Sequence, residues 1–324
     1  MSRTSLAIGL RVASLLIALA VARSAWAQDR ADQAGPGVRR AATPSEASSA
    51  HLTLGRTYLD KGETDKAEAE FKAALESDPQ NGIAYLELGE VRLIERRIPE
   101  AEQEFRQAVR VAPDFAPACA ALADLLIQTE RRAEGRQLLE RAVKLDPDDW
   151  RSEYRLAVLL IEAGEAGSAA EMLDRVERLQ PDFLPAREQS ALAFVRRGDL
   201  KNATAQAEAL IGKNPQAAEG HRIMALVLWK QGDHDGSLAE CALALAADPD
   251  STQMHLLQAL ELWQADRKKE ARTAFVRAAK GPAGMKLATP DVFCRLLLCN
   301  ARDISVVEDF LRKNRAALAP NPAP

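Results

Sequence analysis

The chain has few of the side chains that usually carry chemistry: four cysteines and four histidines in 324 residues. It contains no GxSxG elbow, phosphate-cradling glycine loop, HExxH pair or Cys-His arrangement, so the common carriers of hydrolytic, nucleotide and zinc chemistry are missing. No enzymatic activity, cofactor or metal is expected. Positive charge is not in excess either, with 43 Lys and Arg against 47 Asp and Glu and a net charge of −4. Such a surface offers no face to neutralise phosphates, and nucleic acid is not expected as a partner. Long apolar runs are also lacking. The stretch from Val12 to Ala22 covers 11 residues, whereas a membrane-spanning helix needs about 20.

What stands at the start of the chain is the pattern of an export signal. Arg3 and Arg11 precede the apolar run, and Ala25-Trp26-Ala27 makes a small-x-small site before Gln28. Residues 1–27 are therefore expected to be cleaved off after Ala27. The cut takes three arginines and no acid, moving the net charge from −4 to −7. No cysteine follows the small residues, so a lipoprotein is not expected. The mature chain reads as exported, periplasmic and without an integral membrane span. Residues 28–47, rich in Ala, Pro and Gly without helical periodicity, read as a flexible linker.

The remainder is organised by a ladder. Pro79, Pro113, Pro147, Pro181, Pro215 and Pro249 follow one another at intervals of 34 residues. Equal intervals of this length mark a structural unit repeated along the chain. Proline loses a helix hydrogen bond and clashes with the preceding turn, so each one marks where one helix has ended and another begins.

Counted from Ser48, the columns of the unit repeat their chemistry. Position 8 reads Gly55, Gly89, Ala123, Ala157, Ala191, Ala225, Ala259, and position 20 reads Ala67, Ala101, Gly135, Ala169, Ala203, Ser237, Ala271. Side chains this small on facing sides of two helices let the backbones approach closely, which predicts a tight helical hairpin. Position 24 (Phe71, Phe105, Leu139, Leu173, Phe275) and position 7 (Leu54, Leu88, Leu122, Leu156, Met224) are expected to fill its core. Position 27 (Ala74, Ala108, Ala142, Val176, Leu210, Ala244, Ala278) is placed where the second helix meets the next unit. Gly62, Gly164, Gly198 and Gly232 occupy position 15, the corner between the helices, where positive φ is often required.

This 34-residue spacing, with small residues at 8, 20 and 27 and proline at 32, resembles the tetratricopeptide repeat. The first unit matches best, through Leu54, Gly55, Tyr58, Ala67, Phe71, Ala74 and Pro79. The resemblance implies an all-α, right-handed α-solenoid of helix-turn-helix units. Seven are expected: 48–81, 82–115, 116–149, 150–183, 184–217, 218–251 and 252–285. The fifth departs most, with Arg187, Ser190 and Ala207 in place of apolar bulk, and reads as the weak link. A capping helical hairpin is expected over 286–318, with a first helix from about Pro290 to Cys299. Its second helix, capped by Asp303 or Ser305, runs to about Leu318, and residues 319–324 are a disordered tail.

The register also sorts the remaining candidates. Cys119 and Cys241 fall three layers apart and read as buried fillers, not a disulfide. Cys294 and Cys299 lie five apart on different faces of a helix, so a disulfide there needs a broken helix, for which Asn300 could mark the end. His51, His221 and His255 all fall at position 4 and read as packing substitutes, while His234 lies on a connecting turn with no second ligand beside it. Asn202-Ala-Thr204 matches a glycosylation acceptor but falls within a helix.

By the resemblance, the groove lined by first helices binds segments of other proteins. Position 5 includes Leu52, Leu86, Tyr154, Arg222 and Leu256 and shows no Lys-Asn clamp for a peptide carboxylate, so the expected groove is mixed and mostly apolar. Position 12 jumps in size, from Leu59, Leu93, Ile127, Ile161 and Val195 to Trp229 and Trp263. Either the tryptophans continue the aliphatic seam, or at least Trp263 projects into the groove as an aromatic platform flanked by Arg222, Lys230 and Gln264. The expected function is a non-enzymatic scaffold for an envelope assembly or export complex. A polysaccharide-binding or secretion accessory protein, within envelope polysaccharide machinery, and a holdase chaperone are the other readings.

Overall fold

In a computed structural model of the chain, the described residues are 45–280, 290–297, 299 and 301–314. The expected signal, the linker up to Pro44, Pro282 and the tail lie outside them. Every regular element among them is an α-helix. The chain divides at Ser152 into two units, each taken by itself.

The first unit holds three hairpins. They are α1 (Glu46–Asp60) with α2 (Thr64–Ser77), α3 (Gly82–Ile94) with α4 (Ile98–Val111), and α5 (Ala116–Gln128) with α6 (Arg132–Leu145). Small residues set the approach within each hairpin: a Cβ added at Gly55 would stand 2.5 Å from the Phe71 ring, and one at Gly89 2.3 Å from Phe105. Position 8 is thus the socket for the bulky side chain at position 24. One buried polar network ties the first hairpin to the second. Asn81 caps α3 by accepting from the amides of Ile83 and Ala84, and its Nδ2 donates to Ser48 Oγ at 2.7 Å. Ser48 Oγ donates in turn to the carbonyl of Ala74 at 2.9 Å. Arg92, nearly buried, forks onto Glu68 and holds its carboxyl down at about 2.

The helix α7 (Trp150–Glu162) crosses the division. The second unit continues with α8 (Ala166–Leu179), α9 (Leu184–Arg197), α10 (Leu200–Lys213), α11 (Ala218–Gln231), α12 (His234–Ala247), α13 (Thr252–Gln264) and α14 (Lys268–Lys280). Ser237 Oγ donates to the carbonyl of Ala225 at 3.0 Å, which puts positions 20 and 8 in direct contact. In the weak fifth repeat, Ala191, Ala203 and Ala207 are fully buried with no large side chain at position 24. There α10 comes close to α11, where a Cβ on Gly220 would meet the backbone nitrogen of Ile211 at 2.9 Å. The all-α solenoid of paired helices is therefore what the sequence folds into.

All seven hairpin corners adopt the left-handed conformation at position 15. Gly62, Gly164, Gly198 and Gly232 have φ between 75° and 87°, with nothing within 4 Å of an added Cβ at any of them. Arg96, Glu130 and Asp266 hold the same conformation without glycine, at φ 61°, 65° and 58°.

Two expectations need correction. Leu54 at position 7 does not fill the core but is 41% exposed, because this column packs on the preceding unit, as Leu88 and Leu122 do, and among the described residues no unit precedes the first repeat. The C-terminal helices are α15 (Pro290–Leu297) and α16 (Ala301–Asn314). Asp303 therefore lies inside the first turn of α16, not ahead of it as a cap, and its carboxylate is engaged elsewhere.

Candidate functional site

On a first helix, positions 9 and 13 are four residues apart and share one face. In the first unit this face is open. Arg56 on α1 donates through Nε to Glu87 on α3 at 2.6 Å, so the pair lies where successive first helices meet. Around it Asp60 and Gln128 are exposed, Glu90 and Asp124 are partly so, and Ile94 is 38% exposed. The face thus carries the exposed carboxylate of Asp60 and the partly buried ones of Glu90 and Asp124 beside the Arg56–Glu87 pair, with the apolar Ile94 among them.

In the last two repeats of the second unit, position 9 is closed. Leu226 and Leu260, at position 9, are fully buried, in one hydrophobic cluster with Phe293, Leu297, Val307 and Phe310 of α15 and α16. Those helices engage first-helix side chains at positions 2, 12 and 13. Gln253 donates to the carbonyl of Leu296, Trp263 meets Phe310, and Lys230 pairs with Asp303. The Lys230 side chain is only 7% exposed.

These contacts decide the fate of the sequence-predicted residues. Leu52, Leu86 and Leu256 are buried, since position 5 turns into the stack in those repeats and not toward a partner. Tyr154 stands edge-on to Phe183 at 5.0 Å, and burial raises its hydroxyl pKa. Arg222 pairs with Glu188. Trp229 is buried beneath the ammonium of Lys230, 4.5 Å from its ring, and Trp263 packs on the closing helices. Gln264 is exposed. Trp229 and Trp263 thus follow the first of the two readings and continue the apolar seam.

Position 4 carries a polar role that was read as packing. His51 Nδ1 lies 2.7 Å from Glu70, His221 Nδ1 lies 2.7 Å from Glu240, and Arg187 donates to Gln206 at 3.0 Å. Each pair joins positions 4 and 23, nineteen residues apart, and that recurring spacing was the signal available in the sequence. His221 and His255 also reach back through Nε2 to the carbonyls of Pro215 and Pro249, both at 2.9 Å, so the ladder prolines serve as acceptors for the next repeat. Burial works against the charged form of His221, but the Pro215 carbonyl and Glu240 raise its pKa above the ordinary value. His234 is not without a partner either: it opens α12 and bonds through Nδ1 to Glu261 at 2.6 Å. Burial pushes the Glu261 carboxyl up.

Among the described residues, no group of three or more His, Cys, Asp or Glu side chains is placed to hold a metal. None of their helices is long and apolar enough to cross a membrane.

Comparison with known proteins bears on this geometry. Two family models described as tetratricopeptide repeat match the chain, one at 52–117 and 189–252, the other at 92–152 and 130–192. Among curated proteins none matches. Among solved structures, a tetratricopeptide repeat protein from Parabacteroides merdae is similar at 15% identity and TM-score 0.57, over 83% of this chain and 100% of its own. PilF of Pseudomonas aeruginosa is similar at 22% identity and TM-score 0.54, over 69% of this chain and 99% of its own. YrrB, described as having an unusual peptide-binding site, is similar at 18% identity and TM-score 0.53, over 61% and 97%. At these identities the likeness is one of fold.

Proposed function

The chain belongs to the tetratricopeptide repeat family of interaction scaffolds, and on that premise we propose that it is a non-enzymatic scaffold of the bacterial periplasm. It is exported by residues 1–27 and binds a segment of an envelope assembly or export complex. The observation that carries this reading is a contrast along the first-helix face: in the sixth and seventh repeats Leu226 and Leu260 are covered by the chain's own closing helices, whereas among the described residues of the first unit Arg56, Asp60, Ile94 and Gln128 stay exposed. The partner segment is met by Ile94 and the polar side chains around it, so it presents an apolar side chain within a polar surround.

A photo-crosslinking residue in place of Ile94, in the exported protein, tests this. A discrete adduct with one protein supports the scaffold. Adducts with many unrelated exported chains would replace it with a holdase, and retention on glycan with a polysaccharide accessory role. The intact mass of the periplasmic form is expected to begin at Gln28, and Met1 retained in a membrane fraction would overturn the export reading.

A further inference from the structure

The helix α15 ends at Leu297, and two residues further on the amide of Cys299 donates to the carbonyl of Cys294 at 2.9 Å. A bond spanning five residues at a helix end is the closing bond of a Schellman ending, where the side chain beyond the cap folds back onto one in the last turn. Apolar side chains usually make that contact. Here two thiols make it, within hydrogen-bonding reach of each other. In an unbroken helix they would point to different faces, so the helix end itself brings them together. A direct backbone hydrogen bond between two residues also brings their Cα atoms inside the limit of about 7 Å that a disulfide tolerates. Both cysteines are partly exposed, whereas Cys119 and Cys241 are fully buried.

We propose that Cys294 and Cys299 are a modification site, closing as an intramolecular disulfide that staples the end of α15 to the chain leading into α16. The oxidant is a disulfide, RSSR, such as glutathione disulfide or an oxidised thiol-disulfide oxidoreductase. One cysteine thiolate attacks RSSR, forming a mixed disulfide and releasing RSH. The other then attacks the protein sulfur of that mixed disulfide and expels the second RSH. Two protein thiols are oxidised, one RSSR is reduced to two RSH, and the two thiol protons leave with them. Burial and the neighbouring Cys294 hold the Cys299 thiol above its ordinary pKa. A thiol of that kind is a poor leaving group, so the closed bridge resists reduction. The staple adjoins the Lys230–Asp303 pair, whose charges both act on Cys299, and so fixes the helix end beside the contact that closes the face of the second unit.

The test is oxidation of the full reduced chain with glutathione disulfide, followed by intact mass, thiol counting under denaturing conditions and tryptic mapping. The expected result is loss of two hydrogens' mass and of two of the four alkylatable thiols. Arg295 lies between the cysteines, so trypsin is expected to release two peptides that stay joined only through sulfur. Cys299→Ser is expected to stop at a glutathione adduct on Cys294. Four free thiols after oxidation of the wild type, or glutathione adducts that never resolve to a linked peptide pair, would overturn the proposal.

Discussion

The indole of Trp263 meets the ring of Phe310 edge-on, with centroids 5.7 Å apart and planes at 83°. Phe310 stands edge-on in turn to Phe275, at 5.0 Å. The three rings come from α13, α16 and α14, so Trp263 belongs to the joint between the repeats and the closing helices. Trp263→Leu is expected to lower unfolding free energy by about 1–3 kcal/mol in urea titrations. In a double-mutant cycle, Trp263 and Phe310 should couple by about 0.5–1.5 kcal/mol. Coupling indistinguishable from zero would mean that the contact contributes nothing.

The seven left-handed corners make a second prediction. Gly198→Ala and Gly232→Ala, where a Cβ meets no neighbour, should each cost about 1 kcal/mol through backbone conformation alone. Arg96→Gly and Glu130→Gly relieve the same strain and should raise the melting temperature. A fall in melting temperature for both glycine variants would refute the strain argument.

Glu68 and His221 give the fold opposite pH sensitivities. Arg92 draws the Glu68 carboxyl from 4.5 to about 2. The stability it contributes is therefore present above pH 4.5 and lost as pH falls toward 2. The folded pKa of His221 is raised above 6.5, so its contribution is complete below pH 6.5 and lost as pH rises through the raised value. Urea midpoints against pH should show a smaller acid limb in Glu68→Gln and a smaller alkaline fall in His221→Gln. Superimposable curves for wild type and either variant would contradict the assignment.

The fifth repeat should open first. Its hairpin is filled by Ala191, Ala203 and Ala207, where the fourth has Leu173 and the seventh Phe275, so it buries less apolar area. Hydrogen exchange is expected to show the 184–217 segment less protected than the repeats on either side. Uniform protection from α8 to α14 would remove the hypothesis.

The hairpins were legible in the sequence because their determinants are local and repeated. The Gly55–Phe71 and Gly89–Phe105 sockets recur with the register, and so do the left-handed corners, although Arg96, Glu130 and Asp266 show that the corner does not require its glycine. The binding face was less legible. Whether Leu226 and Leu260 face water depends on where α15 and α16 come to rest, and no column of the repeat encodes that. Leu54 was misplaced for a related reason, since a column read from interior repeats does not hold at an end. The His221–Glu240 pairing needed only attention to two columns at once.

Lys230 and Asp303 are 73 positions apart in the chain, and their pairing skips a whole hairpin: Lys230 belongs to the sixth repeat, and α16 follows the seventh. A stack held only by nearest neighbours can fray from its end one layer at a time. A tie that passes over the last repeat removes that option, because the closing helices cannot lift away without parting Lys230 from Asp303 and uncovering Leu226, and Lys230 and Leu226 both belong to the sixth repeat. The sixth repeat, the seventh and the two closing helices are thus bound into one cooperative block, and loss of the closing helices is felt directly by a repeat that does not immediately precede them in sequence.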